Sequence, residues 1–395
     1  MNSPTVPVRD APSKAGPDSR ISSGVPAFAI RLALALAGTK LLIHLLLSGR
    51  YGYFRDELYY LDCGRHLSWG YVDHAPMIGL VARMALLLGG SLHVLRTFPA
   101  VAGALLVVLP MLIAWRLGGG VFAQALAGLS VLCVPIYLVT DGLMSMNAFE
   151  PLFWMAGAYV LIRIIQTEDS RRWIWFGVFA GLGLMNKHST VFFGLAVVIG
   201  LLLTEQRKEF ARPWIWIGGA IALLIFSPNV IWQIVHHFPT LEDLHNVRVA
   251  GKNVELPPLP FIKQQILVMG PYLFPVWGAG LWHFLFGRGS KYRVLGWTFL
   301  AFFLMMMALH GKDYYVAPIY PMLIAGGTVA WEGGLDRWPV TQRRLWPKAA
   351  MLAVIAAGGV AVAPLMLPLL SPDGWLAFSQ KIGRASCRER VWIPV

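Results

Sequence analysis

The sequence predicts an all-α, polytopic membrane protein, a bundle of about eleven transmembrane helices. Three observations carry that prediction. Of the 395 residues, 57% are hydrophobic and 13% charged, whereas a soluble domain carries about 25% charged residues. Apolar stretches recur from residue 26 to residue 370, many of them near the roughly 20 residues a bilayer core demands. The basic residues sit in short clusters on alternate connections between those stretches, as positive-inside orientation requires. A large soluble core is disfavoured, because soluble helices keep a polar face. The net charge of +13 is therefore read as orientation and not as nucleic-acid binding. Cys63, Cys133 and Cys387 are too few and too scattered for a disulfide framework or a cysteine-ligated metal.

Residues 1–25, rich in Pro, Ser and Gly, read as a disordered cytoplasmic tail. The first span, near 26–48, leads outward, so "GRYGYFRDELYYLDCGRHLSWGYVDHAP" is external. Arg55 to Leu67 suits a short interfacial helix with Tyr59, Tyr60 and Leu61 as membrane anchors. Met77 to Gly90 is too short to span and reads as re-entrant or interfacial. Spans follow near 94–115, 121–140, 147–165, 172–185, 189–204, 213–233, 264–286, 294–309, 314–331 and 348–370. Clusters at Arg163/Arg171/Arg172, Arg207/Lys208/Arg212, Arg288/Lys291/Arg293 and Arg337/Arg343/Arg344/Lys348 fall on one side, which the charge rule makes cytoplasmic. Asp141, the 186–188 turn, the loop 234–262 and His310 to Asp313 fall on the other.

That external side carries the chemistry. No phosphate-binding glycine loop, dinucleotide fingerprint or H-E-x-x-H motif is present, so no nucleotide cofactor is expected. Asp56 and Glu57 open the interfacial helix, where its dipole favours ionised carboxylates. A carboxylate there, within reach of a hydroxyl, is a candidate general base; solvated charges at a helix start are the alternative. Asp73 and His74, just before Pro76, could form a divalent-metal ligand pair or an orienting dyad. Lys40 and His44, four residues apart near the outer end of the first span, read as snorkelling residues.

The stretches "YGYFRDELYYLDCGRHLSWGYVDHAP", "GLGLMNKHST", "FPTLEDLHNVRVAGKNVELPPL" and "GKDYYVAPIYPML" together resemble bacterial glycosyltransferase family 39, over residues 26–375. Its members are protein O-mannosyltransferase-like and lipid A aminoarabinose transferase-like enzymes of the GT-C fold. The resemblance implies an inner-membrane enzyme that moves a sugar, hexosyl or pentosyl, from a polyprenyl-phosphate donor to an acceptor hydroxyl. The transfer would occur on the periplasmic face, with inversion, onto a lipid, glycan or protein. It implies Asp56 as the catalytic carboxylate with Glu57 beside it, and Lys187 and Lys312 on the donor phosphate. Arg248 and Lys252 in the long loop are weaker candidates for that phosphate. A second family aspartate is replaced by Asn147, so a second acidic role passes to Glu150 or Asp141. The resemblance also implies a further external region, so a chain truncated at its C-terminus is expected, with residues 381–395 a non-native tail. A transporter or flippase of a lipid-linked or small anionic substrate is the alternative, although no internal repeat supports it. A scaffold protein would leave the external motifs unexplained.

Overall fold

The computed structural model describes residues 27–250, 256–340 and 345–381. The tail at 1–25 and residues 382–395 therefore lie outside the described residues, as does Lys252. Among the described residues there are helices and no strand. All eleven predicted apolar segments are helical over most of their length. Six helices, α1 (Ile30–Leu47), α4 (Leu92–Arg116), α7 (Met146–Thr167), α10 (Pro213–Val235), α14 (Arg293–Ala308, with the turn before it) and α16 (Trp346–Met366), are long and apolar enough to cross a membrane alone. The protein is a multi-pass membrane protein.

The remaining segments are shorter or broken. α8 (Trp173–Asn186) and α9 (Thr190–Leu202) pack on α10 and α14 respectively. The predicted span 121–140 divides into α5 (Val121–Leu132) and α6 (Pro135–Thr140), because Pro135 cannot continue a helix. The predicted span 264–286 is likewise two helices, α12 (Pro258–Met269) and α13 (Phe274–Leu285), separated at Gly270-Pro271. Gly270 takes φ +89°, a conformation that a side chain would strain. The two breaks meet: the Tyr272 hydroxyl donates to the Cys133 carbonyl, which the interrupted helix leaves without a backbone partner. α15 (Tyr320–Leu335) begins later than predicted, after a 3-10 turn over Asp313–Ile319. It lies so close to α13 that a Cβ on Gly327 would stand 1.8 Å from the Val276 carbonyl oxygen, the small-residue contact favoured between membrane helices.

Side-chain cross-links fall into two groups at opposite ends of the bundle. At one end the Ala29 amide donates to Gln124 Oε1 (2.8 Å), Gln166 Nε2 donates to Arg116 O (2.6 Å) and Tyr292 Oη (2.9 Å), and Glu332 caps α5 by accepting from Gly120 and Ala123 amides. At the other, Tyr51 Oη donates to Leu370 O (2.9 Å), Lys187 reaches Asn147, and Asn229 Nδ2 donates to Trp69 O (2.8 Å). The grouping matches the basic and acidic sides of the sequence. Two helices rest on the acidic end: α2 (Arg55–Arg65) and α3 (Met77–Leu87), packed on each other. Tyr60 and Leu61 face that contact and are buried, so they serve the core between α2 and α3 and not the membrane anchoring expected of them.

The orientation is testable by labelling. A single cysteine at Glu242, in the 234–262 loop, is expected to react with an impermeant thiol reagent in intact cells. One at Arg207 is expected to react once the membrane has been opened. Reaction at Arg207 in intact cells would invert the assignment.

Candidate active site

The external site is organised by a buried ion pair. Glu57 is fully buried in the first turn of α2, and Arg96, in the second turn of α4, is 3% exposed. Arg96 Nε donates to Glu57 Oε1 (2.9 Å) and Nη2 to Oε2 (2.8 Å). Its remaining N–H groups reach the carbonyls of Ser48 (2.6 Å), Tyr51 (3.3 Å) and Gly52 (2.8 Å). Glu57 Oε2 also accepts from the Phe54 amide (2.9 Å), the reach-back of a capping box, and Oε1 from the Met144 amide (3.0 Å). A buried pair is sustained when further hydrogen bonds satisfy both ions, as here. Glu57 is thus held by the protein itself, away from solvent. Both of its oxygens are spent on structure.

Asp56, one residue earlier, points the other way. Its side chain is 37% exposed and pairs, among the described residues, with Arg55 at 3.1 Å, a pair too exposed to hold much. The carboxylate remains open to solvent and to an incoming hydroxyl.

Met144 leads into the chain segment that carries the second cluster. Ser145 caps α7 by accepting from the Asn147 amide (3.2 Å). Lys187, at the C-terminal cap of α8, donates to Asn147 Oδ1 (2.8 Å) and pairs with Glu150 Oε2 (2.9 Å). Ser189 donates to Glu150 Oε1. The Lys187 ammonium also sits over the Tyr315 ring at 4.7 Å and the Tyr314 ring at 6.0 Å, a cation–π arrangement. Glu150 is 1% exposed. With both oxygens engaged it positions Lys187. Lys312 is half-buried, immediately before the turn that carries those tyrosines, and makes no ion pair with a described residue. Arg248 lies exposed near the end of α11 (Pro239–Val249), and nothing brings it to the Lys187 cluster.

Asp141 belongs elsewhere. It pairs at 2.9 Å with Lys40, both fully buried, and Lys40 also donates to the Tyr137 carbonyl (3.0 Å). Lys40 therefore does not snorkel; it joins α1 to the end of α6. Asp141 is unavailable as a second acid.

Asp73 and His74 lie side by side without a third ligand among the described residues. His74 Nδ1 is 2.8 Å from the Ala75 carbonyl oxygen and so carries its proton there. Asp73 Oδ1 accepts from Tyr59 Oη (2.7 Å) and stands 3.8 Å from His74 Nε2. Cys63 Sγ is also 3.8 Å from that nitrogen, but burial pushes its thiol up to about 11, away from the thiolate a metal needs. Among the described residues no group of three potential ligands could hold an ion. Sequence reasoning missed Arg96, Ser189 and the Tyr314–Tyr315 pair as site-builders. Arg96 was detectable as an ionisable residue inside an apolar span.

Two measurements check this geometry. Arg96→Ala leaves Glu57 buried without its partner, an expected loss of about 3–5 kcal/mol, read as a lower melting temperature in detergent; Asp56→Ala should leave it near the parent. Burial also lowers the pKa of His74 and, in the α8–α9 turn, of His188, so the unfolded chain binds more protons than the folded one. Stability is then complete above the ordinary histidine pKa of about 6.5 and declines as pH falls below it. A melting temperature that rises between pH 7 and pH 5 would contradict this, and His74→Gln should flatten the decline.

Residues 73–232 match the dolichyl-phosphate-mannose-protein mannosyltransferase family. ArnT from Cupriavidus metallidurans in the apo state superposes with a TM-score of 0.66 at 19% identity, over 90% of this chain and 68% of that one. The same protein bound to undecaprenyl phosphate gives 0.65 at 20% identity, over 89% and 68%. The apo Archaeoglobus fulgidus oligosaccharyltransferase gives 0.52 at 12% identity, over 90% of this chain and 56% of that one. No curated protein matches at the level of sequence. The resemblance read from the four external motifs is thus shown as family likeness over residues 73–232, and the chain as a whole has the GT-C fold.

Proposed function

We propose that the protein transfers a sugar from a polyprenyl-phosphate donor to an acceptor hydroxyl at the outer face of a bacterial inner membrane, its N-terminus cytoplasmic. The observation that carries this reading is the open Asp56 carboxylate at the first turn of α2, fixed by Glu57–Arg96 and joined through residues 144–150 to the Lys187 cluster. The undecaprenyl phosphate bound to ArnT from Cupriavidus metallidurans supports the choice of donor.

Asp56 takes the proton of the acceptor hydroxyl as its oxygen attacks the anomeric carbon. The bond from that carbon to the phosphate oxygen breaks, the configuration inverts, and polyprenyl phosphate leaves as the anion. Cations must meet the charge that develops on the leaving oxygen. Lys312, with no carboxylate partner among the described residues, is the stronger phosphate ligand; Lys187 shares its charge with Glu150. Arg248 and Lys252 are the weaker candidates for that phosphate, and Lys252 lies outside the described residues. No step runs through a metal. Hexosyl and pentosyl donors, and lipid, glycan and protein hydroxyls, fit this chemistry equally.

Donor binding and single-turnover transfer in nanodiscs separate the roles. Asp56→Asn should cut transfer by about 10²–10⁴-fold, the loss of a general base, with donor binding near that of the parent. Lys312→Ala should weaken both, since a charge-assisted phosphate contact exists before and during reaction. Transfer at the parental rate by Asp56→Asn would remove Asp56 as the base.

A further inference from the structure

α7 and α8 carry the site just described at one end and a second feature at the other. From Glu150 to Arg163 is thirteen residues, about 20 Å along the helix. There α4, α7 and α8 leave between them a cavity of about 280 Å³. Leu109, Val160 and Phe179 are among its walls with the carbon stems of Arg163 and Arg172, and together these walls expose almost no polar atoms. Trp175, at its edge, is 59% exposed at the start of α8, where an interfacial anchor sits.

The two arginines are held unequally. Arg163 makes one 3.4 Å bond to Gln166 and no ion pair with a described residue. Arg172 donates to Thr167 Oγ1 (3.2 Å) and meets Asp169 at 3.5 Å, an exposed pair that holds little. The nearby Glu209 is occupied by Ser170 (2.6 Å) and Trp173 (3.0 Å). A third cation, Arg116, donates to Tyr159, another wall residue (3.2 Å). This end of the bundle is therefore an apolar slot opening beside guanidinium groups, of which Arg163 has no carboxylate partner among the described residues. A methylene chain suits such walls through dispersion contacts. A phosphate suits the planar forks above it. Basic pockets between helices on the cytoplasmic side recognise anionic headgroups in this way.

We propose that the cavity between α4, α7 and α8 is a binding site for an anionic phospholipid of the leaflet on the basic side, one acyl chain in the slot and its phosphate on Arg163 and Arg172. The site is distinct from the external one and needs no assumption about the sugar transferred.

Native mass spectrometry of the full chain, with phosphatidylglycerol or phosphatidylcholine of the same acyl chains, tests it. Phosphatidylglycerol should be retained in preference. Arg163→Ala with Arg172→Ala should weaken that retention roughly thirtyfold, at about 1 kcal/mol for each basic residue. Arg207→Ala with Lys208→Ala, basic residues of the same side outside the cavity, should leave it unchanged. Ala156→Phe fills the slot with both arginines kept and should also lose retention. Equal retention of the two lipids by the parent overturns the proposal without any variant. So does a preference that survives the paired arginine change, one lost equally in the Arg207/Lys208 control, or displacement by an equal amount of undecaprenyl phosphate.

Discussion

The external half of this protein depends on the pairing of Glu57 with Arg96. Two charges removed from water cost several kcal/mol each unless their remaining hydrogen-bonding capacity is met. All five guanidinium N–H groups find acceptors, and the carboxylate gathers two backbone amides besides. One interaction thereby joins the end of α1, the turn after it, the start of α2, the body of α4 and the approach to α7. Successive helical residues are turned by about 100°. Anchoring Glu57 inward is what leaves Asp56 facing outward. The open and the buried carboxylate are neighbours because one of them sets the direction of the other.

The membrane class, the positions of the apolar segments and the grouping of the acids at one end were legible from composition and the spacing of basic clusters. The resemblance carried by four external motifs reached the fold. What escaped was whatever depends on a partner distant in sequence. Glu57 and Asp56 are equivalent in a linear reading, and Arg96, thirty-nine residues from Glu57, decides between them. Lys40 looked like a snorkelling lysine because nothing local reveals Asp141, its partner in the fold. Pro135 and the Gly270-Pro271 pair were visible in the sequence, yet continuous hydropathy across them suggested unbroken spans. Hydropathy reports where backbone is buried; it does not report whether that backbone stays helical.

The external cations are unequal for the same reason. Lys187 and Lys312 resemble each other in sequence, both at turns between apolar segments. Glu150, Asn147 and Tyr315 hold the first in one position and neutralise part of its charge. Rigidity and free charge are thus divided between two lysines, the arrangement expected where one group defines a geometry and another meets an arriving anion.

The meeting of the two broken spans has a mechanical result. Backbone continuity through α12 and α13 is interrupted at Gly270, and Tyr272, just beyond the joint, is held to Cys133, so any movement of α12 turns about that joint against its own buried contacts through Phe261 and Met269. Gln265 travels with α12; its side-chain amide donates to the Asp313 carbonyl, and it receives the Tyr320 hydroxyl. A few degrees of swing at the joint would therefore be delivered as a displacement of the turn beside Lys312. The interruption makes α12 a lever whose arm ends at the turn beside Lys312, and Tyr320 ties that same arm to the start of α15.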